Sequence, residues 1–219
     1  MRNELFEAMC QSVIDGDPDE AAALAEKSIR DGVDPLEAID VGYVAGLTEV
    51  GARFSTGEMF LPDMMLAARA MQRAVAVLEP EMTRRATHRQ VLGRVVLGTV
   101  KGDIHEIGKN LVGMMLSANG FEVHDLGVDV PPERFVETAR SVGADIVGIS
   151  ALLTTTMTGQ RDVIRALEVA GLRPGVRVLV GGAPVSRAWA TDIGADGYAE
   201  DAIGAVALSR DLVGAVGAV

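Results

Sequence analysis

The sequence predicts an α/β protein: a flavodoxin-like (Rossmann-like) domain with a five-stranded parallel sheet, preceded by an N-terminal four-helix bundle. Apolar residues recur at helical spacing through residues 2–86. From Arg94 onward, five short β-branched runs alternate with amphipathic segments, which is typical of a parallel sheet covered on both faces. We therefore expect two domains, residues 1–88 and 89–219.

The bundle is expected to contain four helices, the first over about residues 2–15. Two Asp-Pro pairs, at 17–18 and 34–35, predict the starts of the second and third helices, because aspartate caps a helix and proline suits its first turn. The third helix should reach about Phe54, and the fourth should begin at residues 61–62. Three glycines are expected to interrupt the third helix: Gly42, Gly46 and Gly51.

The fourth helix carries apolar residues near a 3.6-residue period, so we expect them to fill the bundle core. They are Met64, Met65, Ala68, Met71, Val75 and Leu78. The polar stretch 81–89 lacks this period and is the expected linker. His88 and His124 belong to no recognisable motif and are interpreted as structural or solvated.

The second domain should alternate strands and helices. Strands are expected at 95–99, 122–126, 146–149, 176–180 and 198–199. Helices are expected at about 107–119, 132–142, 157–170, 185–193 and 201–215. Five strands in this alternation indicate a flavodoxin-like, doubly wound sheet.

The most informative stretch is residues 98–108, GTVKGDIHEIG, which leads from the first strand into the next helix. Ligands of open α/β sheets bind where loops leave the carboxyl ends of the strands, so His105 lies where ligand chemistry is expected. Asp103, two residues earlier, can hold one ring N–H and leave the other nitrogen free for a metal. A loop hydrogen bond without a ligand is the alternative for this pair.

Composition excludes several functions. The net charge is −11, with −7 in residues 1–89, and no basic stripe favours nucleic acid. Cys10 is the only cysteine, which fits a reducing compartment. We expect no signal peptide and no membrane span, and therefore a soluble, cytoplasmic protein. The chain has no G-x-G-x-x-G, P-loop, H-E-x-x-H or C-x-x-C motif, which argues against nucleotide binding in its usual mode.

Three motifs in the second domain together carry a family resemblance. D-x-H-x-x-G at 103–108 is followed after 41 residues by S-x-L at 150–152, and after 28 more by Gly-Gly at 181–182. Their order and spacing closely resemble the cobalamin-binding domain shared by methionine synthase and the corrinoid proteins of methyltransferase systems. Cobalamin, as methylcobalamin or cob(I)alamin, is the cofactor that this resemblance implies.

The resemblance also implies roles for individual residues. His105 would be the lower axial ligand of cobalt in place of the cofactor's nucleotide tail, Asp103 would accept its other ring N–H, and a hydroxyl behind Asp103 would come from Thr156. Gly108 would leave room for the corrin or its tail. Further cofactor-binding candidates are Ser150, Leu152, Thr154, Gly181, Gly182 and Tyr198.

The bundle carries a resemblance of its own. The segment ARFSTGEMFLPDMMLAARAM, from residue 52, resembles the helical cap that precedes the cobalamin domain in methionine synthase. Phe54 and Leu61 fall on the cap positions that cover the upper face of the corrin. Ordinary bundle core is the alternative for both residues.

The implied function is that of a corrinoid methyl-carrier protein, non-catalytic by itself. A substrate-specific methyltransferase would load its cofactor, and an acceptor methyltransferase would pass the methyl group to tetrahydrofolate or a thiol. A reductive-activation protein is a third expected partner, and neither nucleic acid nor a membrane is expected.

Three alternatives remain at this stage. A cobalamin-dependent sensor or regulatory module shares the architecture, but we expect no DNA-binding domain in this chain. The small subunit of an adenosylcobalamin mutase would lack the helical cap. A flavodoxin-like module without cobalt would remain colourless after reconstitution with cobalamin.

Overall fold

The structure, a computed structural model, describes residues 2–85 and 91–214. It divides into two compact units, Met1–Gln90 and Val91–Val219. His88 and the rest of the expected linker beyond residue 85 lie outside the described residues. Every helix in the described ranges is too short or too polar to span a lipid bilayer.

The N-terminal unit is entirely helical within its described residues. Its elements are α1 (Arg2–Ile14), α2 (Pro18–Arg30), α3 (Pro35–Glu37), a π-helical segment (Ala38–Tyr43), α4 (Val44–Thr56) and α5 (Leu61–Arg84). Because α3, the π-helical segment and α4 follow one another without a break, the unit has the four helical rods expected from the sequence. Asp17 and Asp34 cap α2 and α3 through their side chains, as predicted.

The glycines expected to interrupt the third helix lie inside a continuous helix, so that expectation was wrong. A Cβ at Gly42 would lie 2.8 Å from Sδ of Met9, and one at Gly46 would overlap the carbonyl oxygen of Cys10. These two glycines therefore allow α1 to pack closely against the third rod. Helix packing explains them better than a helix break does.

Helix α5 differs from expectation at two places. Met64 and Met71 are buried as predicted, but Met65 is 48% exposed and does not belong to the core. The helix also runs to Arg84, so Glu81–Arg84 is helical instead of linker. Glu81 accepts hydrogen bonds from Arg84 and Arg85, and such i,i+3 and i,i+4 ion pairs stabilise the last turn.

The second unit alternates strands and helices, as the sequence predicted. Its strands are β1 (Arg94–Thr99), β2 (Glu122–Asp125), β3 (Ile146–Ser150), β4 (Arg177–Gly181) and β5 (Gly197–Tyr198). Its helices are α6 (Ile107–Ala118), α7 (Pro132–Val142), α8 (Thr158–Val169), α9 (Arg187–Ile193) and α10 (Ala202–Gly214). Most of these strands and helices begin and end within one residue of the positions predicted from the sequence.

The sheet has the order β2-β1-β3-β4-β5, and all its strand pairs are parallel. The flavodoxin-like prediction is confirmed. Strands β1, β3 and β4 are buried along most of their length and form the core with the flanking helices. Because the chain reverses its direction of winding between β1 and β3, the loops that leave these two strands open a crevice where ligands bind in this fold.

Candidate functional site

The loop between β1 and α6 is held in place by the loop that follows β2. Val100 forms a parallel bridge with Val130. The backbone N–H of Gly102 donates to Oδ1 of Asp129 at 2.7 Å, and the N–H of Asp129 donates to the carbonyl oxygen of Asp103 at 2.9 Å. Asp129 has a φ of 54°, in the left-handed region, which aspartate tolerates better than most residues. Asp129, in the loop after β2, thus fixes the loop between β1 and α6. No sequence motif predicts this role.

Asp103 is fully buried, and its carboxylate accepts four hydrogen bonds. Oδ1 accepts from Nδ1 of His105 at 2.7 Å and from the backbone N–H of His105 at 3.1 Å. Oδ2 accepts from the hydroxyl of Thr156 and from the backbone N–H of Leu152, each at 2.7 Å. Burial alone would raise the pKa of Asp103, but the hydrogen bonds together outweigh it and hold this pKa well below its ordinary value. The carboxylate is therefore ionised at neutral pH.

The ionised carboxylate fixes the orientation and tautomer of His105. Because an ionised carboxylate can only accept hydrogen bonds, Nδ1 carries a proton, and in the neutral ring Nε2 keeps its lone pair. The side chain is 45% exposed, and within residues 2–85 and 91–214 no hydrogen-bond partner occupies Nε2. The hydroxyl of Thr99 donates to the carbonyl oxygen of His105 at 2.9 Å and holds its backbone as well. An imidazole held in this way is prepared to bind a metal.

Exposed apolar side chains belong to the chain segments around His105 and Asp103. Ile104 and Ile107 flank His105 in the chain and are 76% and 66% exposed. Leu152 and Leu153 are also exposed, and the backbone N–H of Leu152 donates to the same buried carboxylate that holds His105. Exposed apolar groups gathered around a few polar atoms are typical of a ligand-binding surface.

Gly108, in the first turn of α6, faces open space. A Cβ at this position would meet no atom of the described residues within 4 Å, so packing against them does not require a glycine here. The next residue, Lys109, is buried, and its ammonium group contacts Asp125 at the end of β2, which anchors the start of α6. Open space three residues after His105 in the chain fits a large cofactor that contains a metal.

His105 does not belong to a cluster of metal-ligating side chains. Among the described residues, no three histidine, cysteine, aspartate or glutamate side chains converge on one point. One imidazole suits a metal whose remaining ligands come from a cofactor, and cobalt accepts such a borderline nitrogen donor. The donor set therefore fits a corrinoid.

The ends of β3 and β4 meet close to this loop. Ser150 and Gly181 are partners in the sheet register. The hydroxyl of Ser150 has no hydrogen-bond partner in the part of the chain that is described, and the residue is half-buried. Gly182 has a φ of 125°, and a Cβ there would overlap the carbonyl oxygen of Ala151. The close approach of two backbone segments thus requires a glycine at position 182. This requirement holds whether or not a ligand also needs the space.

The remaining candidates lie in varied surroundings. Thr154 is exposed in the loop after β3, and Tyr198 is half-buried at the end of β5, where it packs against the core of the sheet. Phe54 and Leu61 belong to the N-terminal unit, where both are half-buried. His124 on β2 has a ring nitrogen 2.9 Å from an exposed carboxylate oxygen of Glu122 in the same strand.

Two family models described as B12 binding domain match the chain, over residues 93–207 and 5–79. The chain is 47% identical to a corrinoid protein of Desulfitobacterium hafniense (strain Y51), over 96% of this chain and 98% of that protein. It is 48% identical to the dimethylamine corrinoid protein of Methanosarcina barkeri, over 97% of this chain and 99% of that one.

Solved structures agree with these sequence matches. A cobalamin-binding protein from Desulfitobacterium hafniense DCB-2 superposes with a TM-score of 0.80 at 33% identity, over 94% of this chain and 98% of that one. A methanol:cobalamin methyltransferase complex from Methanosarcina barkeri gives a TM-score of 0.84 at 28% identity, over 98% of this chain and 81% of that chain. The chain belongs to the B12-binding corrinoid proteins of methyltransferase systems, and its cofactor is cobalamin.

Proposed function

We propose that this protein carries a methyl group on cobalamin between two methyltransferases, with His105 as the lower ligand of cobalt. The bound cofactor would supply a cobalt centre that can accept and release a methyl group. The observation that carries the proposal is the buried, ionised Asp103, which orients the exposed His105 and leaves Nε2 unpartnered.

The residues of the second unit would divide the work of holding the cofactor. His105 would ligate the metal. Asp103, itself hydrogen-bonded by Thr156, would keep the imidazole protonated on Nδ1 and oriented for metal binding. Gly108 and the apolar side chains beside it would lie against the corrin. Tail-binding residues would come from the ends of the last three strands: Ser150, Gly181, Gly182 and Tyr198. Leu152 and Thr154 would line the entrance.

The N-terminal unit would act as a cap over the reactive face of the cofactor. Its match to a B12 binding domain model over residues 5–79 supports this role. Phe54 and Leu61 would shield the methyl group from solvent. The working domains would be residues 1–88 and 89–219, and the cap would lift whenever a partner needs access.

The partners would be a substrate-specific methyltransferase, an acceptor methyltransferase that uses tetrahydrofolate or a thiol, and a reductive-activation protein. Relatives named for dimethylamine and trimethylamine are 44–48% identical to this chain, whereas the methanol complex is 28% identical. This difference favours a methylated amine as the source of the methyl group.

The test of the lower ligand is an EPR spectrum of the protein reconstituted with cob(II)alamin that carries nitrogen-15 in its benzimidazole. We expect superhyperfine splitting from an unlabelled protein nitrogen, and we expect it to disappear in His105→Ala. Splitting from the labelled nitrogen would show that the tail stays on the metal and would refute the assignment of His105.

A further inference from the structure

Gln160 is a buried polar residue to which no motif of the site assigns a role. It lies in the first turn of α8 and is fully buried. A primary amide offers two N–H donors and a carbonyl acceptor, and burying them without partners would be costly. Each of these groups has a partner here, and the partners are strand ends and a neighbouring helix.

The Gln160 amide bridges the last rungs of β3 and β4. Nε2 donates to the carbonyl oxygen of Ile149 at 2.9 Å and to the carbonyl oxygen of Gly181 at 3.1 Å. Ile149 is the penultimate residue of β3, and Gly181 is the last residue of β4. The amide thus joins the two strands at the rung where Ser150 is paired with Gly181.

A second interaction fixes the orientation of this amide. Oε1 accepts a hydrogen bond from Nε1 of Trp189 at 2.9 Å, so the carbonyl and NH₂ ends of Gln160 cannot exchange places without loss of hydrogen bonds. Trp189 is itself covered by the guanidinium group of Arg161, 4.9 Å from the ring centroid. The Gln160 amide therefore accepts a hydrogen bond from α9 and donates hydrogen bonds to β3 and β4.

The segment that carries Gln160 also reaches the His105 loop. A Cβ at Gly159 would lie 2.9 Å from Cβ of Val100, so this glycine lets α8 begin directly against the end of β1. Thr156, in the turn before α8, donates to Asp103. Chain segment 150–160 thus contacts both the Asp103 carboxylate and the paired ends of β3 and β4.

From this geometry we infer that Gln160 is a positioning residue for the nucleotide tail of the cofactor. Its amide sets the separation of the ends of β3 and β4, and so the place of the Ser150 hydroxyl and the Gly181-Gly182 backbone beside the tail. The inference rests on the proposed function, because it presumes that the tail leaves cobalt and lies in a crevice at the ends of β3 and β4, called here the tail crevice.

The test compares cobalamin with cobinamide, a corrinoid that has no nucleotide tail. Gln160→Glu keeps an acceptor for Trp189 but removes the NH₂ group that donates to both strand-end carbonyls, and a protonated carboxyl could donate to only one of them. We expect this variant to bind cobalamin at least about fivefold more weakly than the wild type, and to bind cobinamide with unchanged affinity. Trp189→Phe, which frees the amide to turn, should shift the ratio of the two affinities in the same direction.

Asn119→Asp is the matched control, because Asn119 is a second buried amide of the same unit and lies at the opposite edge of the sheet, where α6 ends. Its side chain donates to the carbonyl oxygen of Met115 and accepts from Arg210. We expect this variant to lower the melting temperature without changing the ratio of affinities.

The outcomes separate the inference from the proposed function. If the wild type prefers cobalamin and both the Gln160 and Trp189 variants keep that preference, Gln160 has no positioning role and the tail crevice stands. Equal losses for cobalamin and cobinamide would likewise refute positioning. If the wild type binds the two corrinoids equally, the tail crevice itself is refuted, and the role of Gln160 with it.

Discussion

Nδ1 of His105 lies 2.7 Å from Oδ1 of Asp103, and the carboxylate that accepts this bond is fully buried while the imidazole is 45% exposed. The interaction joins a rigid interior group to a side chain at the surface. Because three further donors hold the same carboxylate, it cannot rotate to follow the ring. The ring is therefore oriented by the interior of the domain before any ligand arrives, which lowers the entropic cost of binding a metal.

Asp103→Asn should weaken the lower ligand without abolishing cofactor binding. An amide cannot accept all four hydrogen bonds, and a partner of this kind typically contributes about 10–100-fold in metal affinity or activity. The dissociation constant for cobalamin and the EPR signal of the bound form are the measurements. Asp145→Asn is the control, because Asp145 accepts from the Arg94 N–H at the opposite edge of the sheet. Wild-type affinity and spectrum in Asp103→Asn would show that the ring is oriented by other groups.

Asp129 should contribute through the backbone of the same loop. In Asp129→Ala the left-handed backbone becomes strained and the Gly102 N–H loses its acceptor, whereas Asp129→Asn keeps an acceptor and tolerates the same φ. We expect about a threefold loss of cobalamin affinity in the alanine variant and near-wild-type binding in the asparagine variant. Isothermal titration gives the cobalamin affinity of both variants. Equal affinities in the alanine and asparagine variants would mean that the loop keeps its position without the hydrogen bond to the Asp129 side chain.

Phe54→Ala and Leu61→Ala should speed photolysis of methylcobalamin bound to the protein. A cap that loses a large apolar side chain excludes solvent less well, so the methyl radical escapes more readily. The absorbance change under constant illumination gives the rate. Val41→Ala, at an exposed position of the π-helical segment, should leave the rate unchanged. Wild-type rates in both test variants would refute a capping role for these residues.

The end of α5 should show a pH dependence that comes from Glu81. Hydrogen bonds from Arg84 and Arg85 lower the pKa of Glu81 from 4.5 to about 2. Arg85 also donates to the carbonyl oxygen of Val33, at 3.2 Å, so this cluster ties the helix end to the loop after α2. Because the folded pKa lies below the ordinary value, the stabilisation is complete above about pH 4.5 and is lost as the pH falls towards 2.

Glu81→Gln should therefore exchange the amide hydrogens of the last turns of α5 faster than the wild type at pH 7. The difference should shrink as the pH is lowered through this window, because the wild-type carboxyl then becomes protonated as well. Hydrogen exchange followed by mass spectrometry of α5 peptides makes the comparison. Glu79→Gln, at an exposed position of the same helix, is the control. Equal protection at pH 7 would contradict the role of Glu81.

The fold was predictable because its signals are local. The Asp-Pro pairs at 17–18 and 34–35 start helices, and β-branched runs form the buried strands. The site was less predictable where it depends on contacts between loops. Asp129 becomes visible once β1 and β2 are paired, and Gln160 once α8 is packed on the sheet. Gly42 and Gly46 were misinterpreted because a packing glycine and a helix-breaking glycine look alike in one sequence.

The isolated chain should not catalyse methyl transfer between a methylated amine and an acceptor. Breaking a C–N bond requires an activated nucleophile together with an acid or metal that assists the leaving group. Among the described residues, no three metal-ligating side chains converge. Cys10 is a poor nucleophile, because burial and the nearby charge of Glu49 raise the pKa of its thiol. We therefore expect a partner to supply the electrophilic assistance.

The experiment supplies the reconstituted, reduced protein with a radiolabelled methylamine and an acceptor, first alone and then with the cognate methyltransferase. We expect label to elute with the protein only after the methyltransferase is added, and to remain unbound when His105→Ala replaces the wild type. The same methyltransferase preparation is mixed with wild-type protein in a parallel sample. If the wild type is labelled there, the absence of label on His105→Ala reflects a defect in the carrier and not an inactive partner. Turnover by the isolated wild-type chain would overturn the carrier function, since it would place the activating group within this sequence.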